Sequence, residues 1–268
     1  MTVRWIRAAL AGALVAALGL TGCGDADAPA GPDGAGPVTV FAAASLTESF
    51  TRLGKDYEAA HPGRTVRFNF GGSSGLATQI TQGAPADVFA AASPATMKTV
   101  TDAGDAAGEP VVLVRNQLVV AVPRGNPARV GGLADLARPG VKVALCAEQV
   151  PCGAAARTAL DAAGVRLTPA TLEQDVKGAL AKLRLGEVDA ALVYRTDVRA
   201  APGLDAVEFP ESARAVNDYP IVVLRAAGNY PGRTQTMPLA VYLALETDLQ
   251  AAIVLSLILL TVSVVILA

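Results

Sequence analysis

The stretch Val38-Thr39-Val40-Phe41-Ala42-Ala43-Ala44-Ser45-Leu46-Thr47-Glu48 decides the fold of this 268-residue chain. An apolar, β-rich run over 38–42 passes through a turn of small residues into a helical pattern over 46–60, which is the signature of a strand–loop–helix unit. The same hand-over recurs at Phe70-Gly71-Gly72-Ser73-Ser74-Gly75-Leu76, between a strand over 66–70 and a helix over 75–81. Small residues at such a junction let backbone N–H groups approach a guest closely. Hydroxyls add directed donors, and the positive end of a helix dipole faces outward. Ser45 and Ser73 therefore mark two loops suited to holding an anion without a formal positive charge.

Outward from these loops, short apolar runs alternate with helical stretches. Further strands are expected over 88–91, 117–123, 142–145, 190–194, 207–209 and 221–224, and further helices over 95–103, 134–137, 153–163, 175–185 and 196–200. Such alternation predicts an α/β fold with largely parallel sheets, whose ligands bind beyond the carboxyl ends of the strands. Both serine loops occupy that position.

Composition narrows the function. A formal net charge of −2 gives no basic face for nucleic acid, and aromatic residues at 4% argue against base or sugar stacking. Arg4 and Arg7 precede an uncharged run over 8–20, which reads as a secretory signal over 1–22. Leu20-Thr21-Gly22-Cys23 then resembles a lipobox, with Cys23 as the lipidated residue and 23–37 as a flexible tether. Cys146 and Cys152 are left as a candidate disulfide in an exported protein, against two free thiols. His61, the one histidine, lies in a turn-like Ala-His-Pro-Gly, so no metal site is expected. A nucleophilic role for either serine would need a base that the sequence does not supply, and no phosphate-loop signature occurs. Lys55 and Lys177 read as solvated helix faces, and Ser45 with Glu48 also fits a capping box.

Five ordered blocks carry a resemblance: Val40-Phe41-Ala42-Ala43-Ala44-Ser45-Leu46-Thr47, Gly72-Ser73-Ser74-Gly75-Leu76-Ala77-Thr78-Gln79-Ile80, Gly83-Ala84-Pro85-Ala86-Asp87-Val88-Phe89, Asp175-Val176-Lys177-Gly178-Ala179-Leu180 and Val193-Tyr194-Arg195-Thr196-Asp197. The chain resembles the substrate-binding proteins of molybdate ABC transporters. The resemblance implies a two-lobed, periplasmic-binding-protein-like (type II) α/β fold with a hinge and a central cleft. It implies a molybdate or tungstate ligand, no other cofactor, and an ABC permease with its ATPase as partners. It also implies a site made of the Ser45 and Ser73 hydroxyls and amides, the backbone N–H groups of Cys152 and Val176, and the Tyr194 hydroxyl. Cys152 departs from the small residue usual there, and a bond to Cys146 would brace the loop that presents its amide.

Domain boundaries follow: 38–116 with 218–228 as a first lobe, and 117–217 as a second. The segment 229–268 resembles the end of the cognate permease and closes with an apolar helix over 251–268, read either as a membrane anchor or as a gene-fusion remnant. A receptor for another tetrahedral oxyanion such as sulfate, and a membrane-anchored regulatory component of the transporter, are the competing expectations.

Overall fold

The structure is a computed structural model that describes residues 37–225. The segment over 1–22 read as a signal, Cys23 and the tail over 229–268 lie outside the described residues. Two five-stranded sheets form the body. In the first, β1 (Val38–Ala43) runs parallel to β2 (Val66–Gly71) and β3 (Val88–Ala90), while β4 (Val111–Asn116) and β10 (Asn217–Val223) complete the order β2-β1-β3-β10-β4. β10 is antiparallel to both of its neighbours. Around this sheet stand α1 (Thr47–Ala60), α2 (Ser73–Thr81) and α3 (Pro94–Asp102).

The second sheet has the order β7-β6-β8-β5-β9, built from β5 (Leu118–Pro123), β6 (Val143–Cys146), β7 (Thr171–Glu173), β8 (Ala190–Tyr194) and β9 (Leu204–Val207). Its helices are α4 (Pro151–Ala163), α5 (Val176–Arg184) and the short α6 (Arg195–Arg199). Residues 118–122 of β5 and 190–193 of β8 are wholly buried and read as unbroken apolar runs, as strands covered on both faces must. Edge strands need no such burial: Val111, Val112, Leu113 and Val114 of β4 are exposed.

The chain passes between the sheets twice, at Gln117 between β4 and β5 and again at 215–216 after a 3₁₀ turn over Pro210–Arg214. Asn116 and Asn217, one at each crossing, are register partners in the β4–β10 pair. The strand expected over 117–123 is β5, whereas β4, just before it, was not expected. The two are separate strands because the chain changes sheets at Asn116-Gln117. The strand expected over 221–224 begins four residues earlier, at Asn217, and the difference matters for the site.

Among the described residues no helix is long and apolar enough to cross a membrane, and no group of carboxylate, histidine and cysteine side chains could hold a metal ion.

Candidate functional site

Four helical segments begin on one cavity: the 3₁₀ turn over Ala44–Leu46, and α2, α4 and α5. The first-turn N–H groups of a helix have no acceptor within the helix. Ala43, Gly72 and Val150, which precede the first three, make no side-chain cap. In α4 the first position is Pro151, which has no N–H, so Cys152 supplies the first amide. In α5 the Asp175 carboxylate does cap, accepting from Lys177 N–H at 2.8 Å and Gly178 N–H at 3.1 Å. That cap skips the first amide, Val176 N–H.

The cavity is lined by Ser45, Ser73, Cys152, Val176 and Tyr194 together, along with Gly72, Ala92, Gln174 and Asp175. All five residues expected at the site thus meet in one hollow. About 20 Å³ is open to the centres of water-sized atoms, beyond the roughly 10–15 Å³ that one water needs. A sphere of that volume has a radius close to the distance at which a tetrahedral oxyanion carries its oxygens. Among the described residues no lysine or arginine lines it, and the one lining carboxylate, Asp175, is engaged as the α5 cap.

Protein donors set the direction of the hydroxyls. Ser73 Oγ accepts from Ala92 N–H at 3.0 Å, so its own proton is left to turn into the cavity. Tyr194 Oη accepts from Asn217 Nδ2 at 2.9 Å, which leaves its proton to be given to the cavity or to the neighbouring Tyr219 hydroxyl. The amide of Asn217 is oriented by a second bond, 2.7 Å to the Ala92 carbonyl, which can only accept. Ser45 Oγ lies 2.9 Å from Tyr219 Oη, and either atom can donate. A guest that only accepts selects the polarity in which Tyr219 donates to Ser45 and Ser45 donates onward. Burial pushes the Tyr194 phenol well above its ordinary value, and burial does the same to Tyr219, so both keep their protons. The wall therefore converges hydroxyl and amide donors on its guest, with the Asp175 carboxylate turned to its own cap.

Several sequence readings change. Ser45 does not cap α1: Leu46 holds the cap position, with no side-chain bond, and the Ser45 hydroxyl is committed to Tyr219. Lys177 is not a solvated face, since its ammonium meets Glu48 and Asp197. His61 stacks on Tyr57 at the far end of α1 from the serine loop. Ala92, Asn217 and Tyr219 were missed. Ala92 acts through its backbone, which leaves no trace in side-chain pattern, and the other two fell before the expected start of the last strand. Cys146 and Cys152 are joined by a disulfide that ties the end of β6 to the first turn of α4.

The cleft between the sheets is closed. Ser74 Oγ donates to the Gln149 carbonyl at 2.9 Å, and Asn116 Nδ2 donates to Thr196 Oγ1 at 2.8 Å. Buried behind the cavity, Asp197 has its carboxyl pushed up to about 6 by desolvation, although the Lys177 ammonium at 3.1 Å pulls the other way. A carboxyl raised in the folded state from 3.8 contributes its stability in full below that value and loses it as pH climbs through 6. Asp197→Asn is therefore expected to gain on the parent as pH rises from 4 to 7, reaching about 1–3 kcal/mol at pH 7. Thermal melts of both proteins across that range would check this, and parallel curves would refute it.

A family model described as bacterial extracellular solute-binding protein matches residues 38–244. It thereby extends into the stretch from 229 that the sequence reading assigned to a permease-like segment, and nothing found supports that assignment. The molybdate-binding protein ModA of Mycobacterium bovis is 46% identical over 231 residues, covering 83% of this chain and 88% of that protein. Among solved structures, the substrate-binding domain of a putative molybdenum ABC transporter from Clostridium difficile aligns at TM-score 0.52 with 28% identity, covering 72% of this chain and 86% of that one. The periplasmic molybdate-binding protein of Azotobacter vinelandii aligns at TM-score 0.58 over 72% of this chain and 87% of its own; at 20% identity it speaks for the fold alone. With a two-sheet body, a cleft at the strand ends and a match over most of its length, this chain belongs to the bacterial extracellular solute-binding proteins, which carry solutes to transporters and are not enzymes.

Proposed function

We propose that this protein binds molybdate or tungstate in its cleft outside the cytoplasmic membrane and delivers the anion to an ABC permease driven by its ATPase. The observation that carries the reading is the convergence of uncharged donors on one cavity. The hydroxyls of Ser45, Ser73 and Tyr194 each accept, or can accept, a bond from the protein and so have a proton to give the guest, and the amides of Cys152 and Val176 add backbone donors from two helix starts. A fully deprotonated tetrahedral dianion accepts from every direction, whereas hydrogen phosphate carries a proton that needs an acceptor, and the one carboxylate among the described lining residues, Asp175, already accepts from two backbone N–H groups. Charge-assisted hydrogen bonds are worth about 1.5–3 kcal/mol each, so five convergent donors suffice for submicromolar binding after the cost of association. Relatives named as molybdate-binding proteins support the same ligand.

Membrane attachment belongs to this reading. Cys23 is the proposed lipid anchor, and the apolar run over 251–268 would add a second contact with the bilayer. Palmitate labelling of the full chain and of a Cys23→Ala variant tests the first. Label that survives the substitution would remove it.

Calorimetry of the purified protein with molybdate, tungstate, sulfate and phosphate tests the ligand. The expected order places molybdate and tungstate together, well ahead of sulfate, with no measurable phosphate binding. Sulfate binding first would make this a receptor for a smaller oxyanion, and no binding at all would favour a regulatory role. Ser45→Ala and Ser73→Ala should each weaken binding by about tenfold or more, corresponding to roughly 1.4 kcal/mol or above per lost donor. Unchanged affinity in both would take the two loops out of the site.

A further inference from the structure

The ammonium of Lys177 sits 2.7 Å and 2.9 Å from the two carboxylate oxygens of Glu48 and 3.1 Å from Asp197. Glu48 stands in the first turn of α1, on the first sheet's side of the cleft, and Lys177 and Asp197 stand on the second sheet's side. Each member follows a proposed ligand residue closely in sequence: Glu48 three positions after Ser45, Lys177 next to Val176, and Asp197 three after Tyr194. The Asp197 side chain has no exposed surface, so it holds the lysine in place from within, while Glu48, half exposed, meets it from across the cleft.

We propose that Lys177 and Glu48 form an interlobe latch that retains the bound oxyanion. This deepens the proposed function and rests on it. Neither side chain lines the cavity, so they act as positioning residues. Among the described residues the two bodies are joined by two crossings, and opening the cleft separates Glu48 from Lys177 and withdraws Ser45 from Val176 and Tyr194 in the same movement. An ion pair that forms only on closure leaves the entry rate unchanged and slows exit.

Stopped-flow displacement of molybdate from the full chain reads this directly. Glu48→Ala should speed release about fivefold, near the upper end for a partly exposed pair, with the association rate unaltered. Lys177→Met should speed release at least as much, Lys177→Arg should restore slow release, and Glu48→Ala added to Lys177→Met should change it no further. Release from the parent should quicken with added salt, and release from Glu48→Ala should respond less. Equal release rates in parent and Glu48→Ala would overturn the latch while leaving the proposed ligand standing. If the parent binds no oxyanion, the ligand reading fails and the latch is judged by hydrogen exchange without ligand. Glu48→Ala should then raise exchange across residues 72–76 and 174–178 and leave β5 untouched. Identical exchange in those segments would reject it.

Discussion

Gly72→Ala is expected to weaken oxyanion binding by about a hundredfold or more, the equivalent of roughly 2.7 kcal/mol, while the empty protein keeps its stability to within about 1 kcal/mol. Gly72 lies in the loop between β2 and α2, and a Cβ placed on it would collide with the Gln174 carbonyl oxygen on the opposite side of the cleft. Its own backbone, at φ −60° and ψ 125°, accepts alanine without strain. The obstruction is therefore confined to the closed form. Gln174 is followed by the Asp175 cap and the Val176 amide, so holding this point away removes second-sheet donors from a guest seated on the serine loops. Calorimetry paired with thermal melts of the unliganded protein separates the two effects. Parent-like affinity would show that the methyl is accommodated and that the cleft closes differently.

Gly153→Ala should act on stability as well as on binding. A Cβ there would lie on the backbone of the loop it faces, against the Ala147 carbonyl and 2.7 Å from the Cys146 carbonyl oxygen. Backbone atoms cannot swing aside as a side chain can, and the disulfide between Cys146 and Cys152 anchors both ends of the segment. A loss of about 2–4 kcal/mol is expected, together with at least tenfold weaker binding as the Cys152 amide moves. Denaturant titration gives the first quantity and calorimetry the second. A parent-like midpoint with intact affinity would mean that α4 slides outward as a unit, and the tight packing of its first turn would then carry no weight.

Local chemistry made much of this fold legible in the sequence. Residues 38–48 spell out a strand, a turn of small residues and a helix, and each part follows from propensity and spacing alone. Residues 190–194 form β8 as expected, because a buried central strand is a plain apolar run. Strands that depend on a partner were harder. β7 is three residues with little burial, made a strand by pairing with β6, and β4 is an edge whose apolar residues follow no alternation. The five residues expected at the site meet in one cavity, yet the groups that aim their protons were invisible. Tyr219 is 174 positions from Ser45, and Asn217 reaches Tyr194 and Ala92 from a chain crossing. Only the return of the chain to the first sheet brings them there. Lys177 likewise looked like an ordinary exposed helix position until closure set Glu48 against it.

Among the described residues the cavity wall contains no cation, and this has a consequence for the loaded protein. With no guanidinium or ammonium among the described lining groups to cancel it, the guest's double charge adds to the net charge of the protein, formally −2 over the full sequence. Laden and vacant molecules therefore differ in electrophoretic mobility and in retention on an anion exchanger. A membrane complex that must distinguish cargo from empty traffic has an electrical signal to use beside any change of shape.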